Sequence, residues 1–194
     1  MPFDETYYRR YYADAKTRVH GAEQIAHLAL AVTEMVTWYG GALDTVLDIG
    51  AGAGLWRDWF KKHKPKTKYR STEVSEYACA KYGHEQRDIA VWRAPARDRF
   101  DLIVCQGVLP YLADDAAAAA IENIAAMSRG FLYVEAITKR DFEEICDQSK
   151  TDGDVHLRRA AWYRDRLGEH FVNVGCGLYY AKRGPLRFYE LERA

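Results

Sequence analysis

Two spacings of apolar residues divide this chain into elements. Ile25, Leu28, Ala29, Val32, Met35, Val36 and Tyr39 recur at i, i+3, i+4 and i+7, which predicts an amphipathic helix ended by Gly40-Gly41. An apolar run then predicts a buried strand over about 43–49, followed by three glycines at alternate positions and a helix over about 54–62. A strand over 69–74, a helix over 75–82 and a strand remnant leading into the acidic turn 85–90 come next. Residues 100–109 predict a fourth apolar strand, 114–128 an alanine-rich helix, and 130–136 a fifth strand ending in an acid. The charged stretch 138–154 interrupts this alternation and reads as a cap insertion before a helix carrying Leu157, Ala160, Tyr163 and Leu167. The tail predicts two strands, 171–181 and 186–191, joined through Lys182-Arg183-Gly184-Pro185. Strands alternating with helices imply an α/β domain with a mostly parallel sheet.

The glycine turn is the first candidate site. In Thr45-Val46-Leu47-Asp48-Ile49-Gly50-Ala51-Gly52-Ala53-Gly54 the strand meets the helix through a turn that excludes side chains. Such a turn presents backbone N–H groups at the carboxyl end of a parallel strand, where open α/β sheets bind ligands. Its third glycine comes one residue earlier than in the dinucleotide fingerprint G-x-G-x-x-G. Glu73, ending the second strand, stands where a carboxylate accepts from both hydroxyls of a ribose.

The D-x-G-x-G-x-G arrangement resembles motif I of the class I S-adenosylmethionine-dependent methyltransferases. Phe100-Asp101-Leu102-Ile103 is similar to that family's fourth strand, often F-D-x-I, and the resemblance spans about 43–194. It implies a Rossmann-like, seven-stranded, mostly parallel sheet with helices on both faces and a C-terminal antiparallel hairpin. It also implies that S-adenosylmethionine is consumed and S-adenosylhomocysteine released. The cofactor residues it implies are Asp48, Gly50, Ala51, Gly52 and Gly54 at the turn and Glu73 with Val74 at the ribose. Asp88 and Ile89 would hold the adenine, with Gln106 and Gly107 at the end of the fourth strand. Where many small-molecule members continue with a histidine, this chain has Pro110.

Composition narrows the acceptor. With 28 basic and 28 acidic side chains the net charge is zero, so no overall field draws in nucleic acid. No Asn/Asp-Pro-Pro-aromatic motif for amino methylation of DNA bases follows the fourth strand. The start has no signal-peptide pattern, no apolar run reaches the length of a bilayer span, and Cys79, Cys105, Cys146 and Cys176 form no C-x-x-C pair. A cytoplasmic protein without a metal site is expected. A single domain over 1–194 is expected, with a helical arm or lid at 1–42, a cofactor half at 43–136 and a substrate-side cap, last helix and hairpin at 137–194.

Acceptor contacts are sought elsewhere. Residues 3–20 are dense in aromatic and basic side chains, so Tyr7 and Tyr11 are candidates to close over a substrate with Tyr111. Glu135, at the ligand end of the fifth strand, and His156, after an acidic turn, are the candidate general bases. A small-molecule acceptor, methylated on oxygen, nitrogen or carbon, is expected. RNA or protein acceptors, a catalytically inactive binding protein and a nicotinamide-dependent oxidoreductase remain alternatives, and the sequence leaves the oligomeric state open.

Overall fold

The computed structural model describes residues 3–194. Residues 1 and 2, where the single-domain and signal-peptide readings begin, lie outside the described residues. The strands are β1 (Thr45–Ile49), β2 (Lys68–Glu73), β3 (Glu85–Gln86), β4 (Phe100–Gln106), β5 (Ser128–Glu135), β6 (Phe171–Gly175) and β7 (Leu178–Ala181). They form one sheet in the order β3-β2-β1-β4-β5-β7-β6. Pairings from β3 to β5 are parallel, and β7 runs antiparallel to both β5 and β6. The inserted antiparallel β7 separates this sheet from a plain dinucleotide domain, whose order is 3-2-1-4-5-6.

The helices are α1 (Glu5–Tyr8), continued as a π-helical turn over Arg9–Ala13, then α2 (Ala22–Trp38), α3 (Leu55–His63), α4 (Glu76–Tyr82), α5 (Asp114–Met127), α6 (Lys139–Glu144) and α7 (Ala160–His170). The pleat sorts the strands' side chains between two cores. Leu47, Ile103, Cys105 and Leu132 pack with Ile121 and Ile124 of α5 and Leu167 of α7. Val46, Leu102, Val104 and Phe131 pack with Val32 and Val36 of α2 and Trp56 and Phe60 of α3. Residues 22–38 therefore belong to the core, and the arm proper is the segment before them. Its tyrosines form a third cluster, with Tyr7, Tyr8 and Tyr11 around Ala78. Among the described residues, no helix is long and apolar enough to cross a membrane.

The terminal hairpin departs from the sequence expectation. It lies wholly within 171–181 and turns at Gly175-Cys176-Gly177, all three at positive φ (103°, 51° and 76°). The flanking glycines carry that left-handed path, so Lys182–Pro185 follows the last strand instead of turning it. Residues 186–191 form no strand: Phe188 stacks edge-on against Tyr39 and Tyr180, and the segment ends in a 3-10 turn at Glu190–Glu192. Side-chain packing holds this tail, without a strand ladder.

Candidate active site

At the end of β1 the chain reverses through Gly50 (φ +66°) and Gly52 (φ +57°), and Gly54 starts α3. A Cβ on Gly50 would run into Cγ2 of Val108, and one on Gly52 would lie 2.9 Å from the Tyr12 hydroxyl. Glu73 fastens this turn to β2. Its Oε2 accepts from Gly52 N–H at 3.0 Å, and its Oε1 accepts from Val74 and Ser75 N–H at 2.7 and 3.1 Å. His84, which the sequence reading did not single out, closes the turn from beneath. Its Nε2 lies 3.1 Å from Gly52 O and its Nδ1 2.8 Å from Ser71 Oγ. A carbonyl only accepts, so Nε2 carries the proton and Nδ1 accepts from the serine. Burial lowers the His84 pKa, which keeps the ring in this neutral form.

Period-two alternation brings three polar side chains onto one face at the strand ends: Asp48 after Val46, Gln106 after Val104, and Glu135 after Tyr133. Asp48 is buried, and its Oδ2 accepts from the Tyr69 hydroxyl at 2.6 Å. Burial raises its pKa to about 7, outweighing that hydrogen bond. Gln106 Oε1 accepts from Trp56 Nε1–H at 2.8 Å, which turns its amide nitrogen toward Glu135 Oε2 at 3.3 Å. The Tyr133 hydroxyl donates to the same oxygen at 3.1 Å, and His20 approaches Glu135 Oε1 to 3.8 Å. Burial pushes the Glu135 pKa up, but contacts with His20, Tyr133 and Gln106 leave it below the ordinary carboxylate range.

These groups line a cavity of about 160 Å³ whose opposite wall comes from the arm and the cap. There Tyr111 donates to Asp152 Oδ2 at 3.1 Å, and the Tyr7 and Tyr111 hydroxyls lie 2.8 Å apart. Asp152 Oδ1 accepts from Asp154 N–H at 3.0 Å. Burial raises the pKa of Tyr7 and of Tyr111, so both keep their protons. The loop carrying Tyr111 is held by Arg158, whose buried guanidinium donates to the carbonyls of Leu109 and Leu112, pairs with Asp114 at 2.7 Å and lies over the Trp162 ring.

Of the residues expected from sequence, Asp48, Gly50, Ala51, Gln106, Gly107, Tyr7, Tyr11, Tyr111 and Glu135 all line this cavity. Gly52, Gly54 and Glu73 build the turn beside it. Val74 is exposed, and Ile89 packs in the core beneath α5. Asp88 is exposed, and its carboxylate accepts from Ala90 N–H at 2.9 Å. His156 is also exposed and is absent from the cavity wall, although its backbone N–H donates to Pro110 O at 2.7 Å. Cys105 is fully buried, with its thiol pushed up to about 12, as befits a packed strand residue. Sequence reasoning missed Tyr12, His20, Trp56 and Asp152. Tyr12 and His20 belong to the aromatic and basic arm, and Trp56 adjoins the glycine turn on the apolar face of its helix, so these three carried a local signal.

Elsewhere, Glu122, Glu169 and His170 bring ligand atoms within 4.8 Å of one another at the surface, with Arg93, Lys182 and Arg183 around them. That positive surround opposes a cation.

A family model described as a methyltransferase domain matches residues 47–129, from β1 into β5. No curated protein sequence matches this chain. Among solved structures, magnesium protoporphyrin IX methyltransferase from Synechocystis PCC 6803 with bound SAM is similar at 18% identity and TM-score 0.59, over 92% of each chain. DesVI of Streptomyces venezuelae is similar at 16% identity and TM-score 0.61, over 80% of this chain and 90% of its own. An S-adenosylmethionine-dependent methyltransferase of Clostridium acetobutylicum ATCC 824 is similar at 14% identity and TM-score 0.60, with the same coverage. These likenesses carry the fold, and the family model places a methyltransferase domain over the motif-bearing stretch 47–129 laid upon it.

Proposed function

We propose that this enzyme moves the methyl group of S-adenosylmethionine to a small molecule held in the cavity between the ends of β1, β4 and β5 and the tyrosine-bearing arm. The observation that carries this reading is the continuity of the cavity, which runs from Asp48, Gly50 and Ala51 to Tyr7, Tyr111 and Asp152. The residues present fit the cofactor's methionine end. Gly50 brings bare backbone in a left-handed conformation to the cavity wall, and Asp48 offers a buried carboxylate to an ammonium group. Glu73 would accept from the ribose with its remaining lone pairs, and Asp88 with Ile89 would border the adenine.

When bound, the cofactor supplies a methyl group already activated on a sulfonium, so alignment and exclusion of water are the protein's share. Gln106 is held by Trp56 and Glu135 in one orientation, which fixes the polar floor of the site. Tyr7, Tyr11 and Tyr111 cover the acceptor side. Glu135, in the cavity wall, is better placed than His156 to hold a proton leaving the acceptor. The enclosure of the cavity supports a small molecule over RNA or protein. The four cysteines are all free, which fits a reducing compartment such as the cytoplasm.

Calorimetric titration of S-adenosylhomocysteine, followed by transfer of labelled methyl to a small-metabolite extract, tests this reading. Binding with label in the low-molecular-weight fraction is expected. Label appearing only in RNA or protein would overturn the acceptor class, and binding without any transfer would favour an inactive binding protein.

A further inference from the structure

We propose that the acceptor is an amine, held by its N–H groups and positive charge between Asp152 on one wall of the cavity and Glu135 on the other. This deepens the methyltransferase reading above and rests on it.

The first observation is charge. Three carboxyl groups, those of Asp48, Glu135 and Asp152, face the cavity, and no lysine or arginine lines it among the described residues. The one basic side chain there, His20, already lies beside Glu135. With Asp48 assigned to the cofactor's ammonium, Glu135 and Asp152 remain for the acceptor. A carboxylate or phosphate ester entering this space would meet like charge with no cation to offset it.

The second observation is the direction of the hydrogen bonds. An ionised carboxylate only accepts, so Tyr111 gives its proton to Asp152. Tyr7 must then donate to Tyr111, which leaves the oxygen of Tyr7 as an acceptor. Across the cavity Trp56 and Tyr133 spend their protons on Gln106 and Glu135, and Gln106 spends one of its two amide protons on Glu135. At these hydrogen-bonded groups, Tyr7 with Asp152 on one wall and Glu135 on the other, the lone pairs outnumber the free protons offered to a ligand. An alcohol brings one proton to such a site, an ether none, and an ammonium two or three. The aromatic side chains of Tyr7, Tyr11, Tyr111 and Trp56 also line the cavity, a composition compatible with a cation.

The third observation concerns reactivity. Glu135 lies below the ordinary carboxylate range, so it is a counter-ion and proton relay, too weak a base to ionise an alcohol. An amine needs no stronger base. The bound ammonium releases one proton through Glu135 to water and exposes its lone pair. The nitrogen then forms the N–C bond as the C–S bond breaks, the sulfur keeps the electron pair, and S-adenosylhomocysteine leaves. The N–H proton left on the methylated nitrogen passes to water, completing the balance.

Three matched probes test the proposal by calorimetry on protein saturated with S-adenosylhomocysteine: 2-phenylethylamine, 2-phenylethanol and phenylacetate. The amine is expected to bind about tenfold or more tightly than the alcohol, with phenylacetate weakest. In Asp152→Asn the amine should lose about tenfold in affinity while the alcohol and S-adenosylhomocysteine bind as before. If that variant misfolds, Glu135→Gln, which removes the charge on the other wall, provides the same comparison. Alcohol or carboxylate binding as tightly as the amine, or an amine that fails to bind, would overturn the assignment. Failure of S-adenosylhomocysteine to bind the unaltered protein is read first and is a failure of the methyltransferase reading itself.

Discussion

The two walls of the cavity are built on different principles. The wall proposed for the cofactor is made by the backbone: a left-handed turn at Gly50 and Gly52, tied to β2 by Glu73 and to His84 through a carbonyl. The wall proposed for the acceptor is made by side chains that meet across long stretches of sequence. Tyr7 reaches Tyr111 over 104 residues, and Tyr111 reaches Asp152 over 41. A backbone site tolerates almost no substitution at its turn, because the conformation itself is the binding surface. A side-chain site can be altered one hydrogen bond at a time. Substitutions on the first wall should therefore abolish binding, and those on the second should grade it.

The sharpest test of that contrast is Gly50→Val. A β-branched residue at φ +66° is strained by roughly 1–3 kcal/mol, and its Cβ would also run into Val108. The expected result is at least about a hundredfold loss of S-adenosylhomocysteine affinity by calorimetry, with a lower melting temperature. Undiminished affinity in a folded variant would remove the turn from the cofactor site.

Next in size is the pH dependence set by Asp48. Its folded pKa of about 7 stands above the ordinary 3.8. Between these values the native state keeps a proton that the unfolded chain has released, so this group's contribution to stability falls as pH rises through the window and is level above it. If the ionised carboxylate receives the cofactor's ammonium, affinity should weaken by up to about tenfold per pH unit below 7 and stay flat above. Titrations from pH 5.5 to 8.5 read this slope, and thermal melts of Asp48→Asn should lose the matching trend in stability. A flat affinity profile would dissociate Asp48 from the ammonium.

The same contrast explains what the sequence disclosed. Gly50, Gly52 and Asp48 were legible because a left-handed turn after a buried strand leaves a local mark, and period-two alternation put Gln106 and Glu135 at the strand ends. The sheet followed from the same periodicities. Asp152 and Arg158 carry no such mark. Their roles arise only once β4, β5 and the cap are assembled, and a charged loop looks alike whether it faces water or a cavity. The terminal turn was misplaced because Gly184-Pro185 is a stronger written signal than Gly175-Cys176-Gly177, although the latter has the backbone that reverses the chain.

On the acceptor wall a smaller, graded effect is expected. Tyr7→Phe removes one hydroxyl from the Tyr7–Tyr111–Asp152 chain and leaves the ring packed among Phe3, Tyr8 and Tyr11. The loss of about 1 kcal/mol corresponds to a rise in acceptor KM of roughly fivefold, with S-adenosylhomocysteine affinity unchanged. Loss of both affinities together would show that the two walls act as one, since Tyr12 of the same arm lies against Gly52.

The smallest effect is expected at His156, and it bears on which group handles the proton. In sequence this histidine follows an acidic turn, which makes it a candidate general base. In the folded chain it is exposed, its backbone N–H is tied to Pro110 O, and the neighbouring Val155 and Asp152 line the cavity in its place. A group must come within hydrogen-bond reach of the proton it takes, directly or through one water. Glu135 lines the cavity and is the group proposed to take that proton. His156→Ala should therefore change kcat by less than about twofold and leave the pH–rate profile unshifted, against the 10²–10⁴-fold contribution typical of a general base. A tenfold fall in kcat with loss of one limb of that profile would return the proton-handling role to His156 and require the cap to close further over the acceptor than it does here.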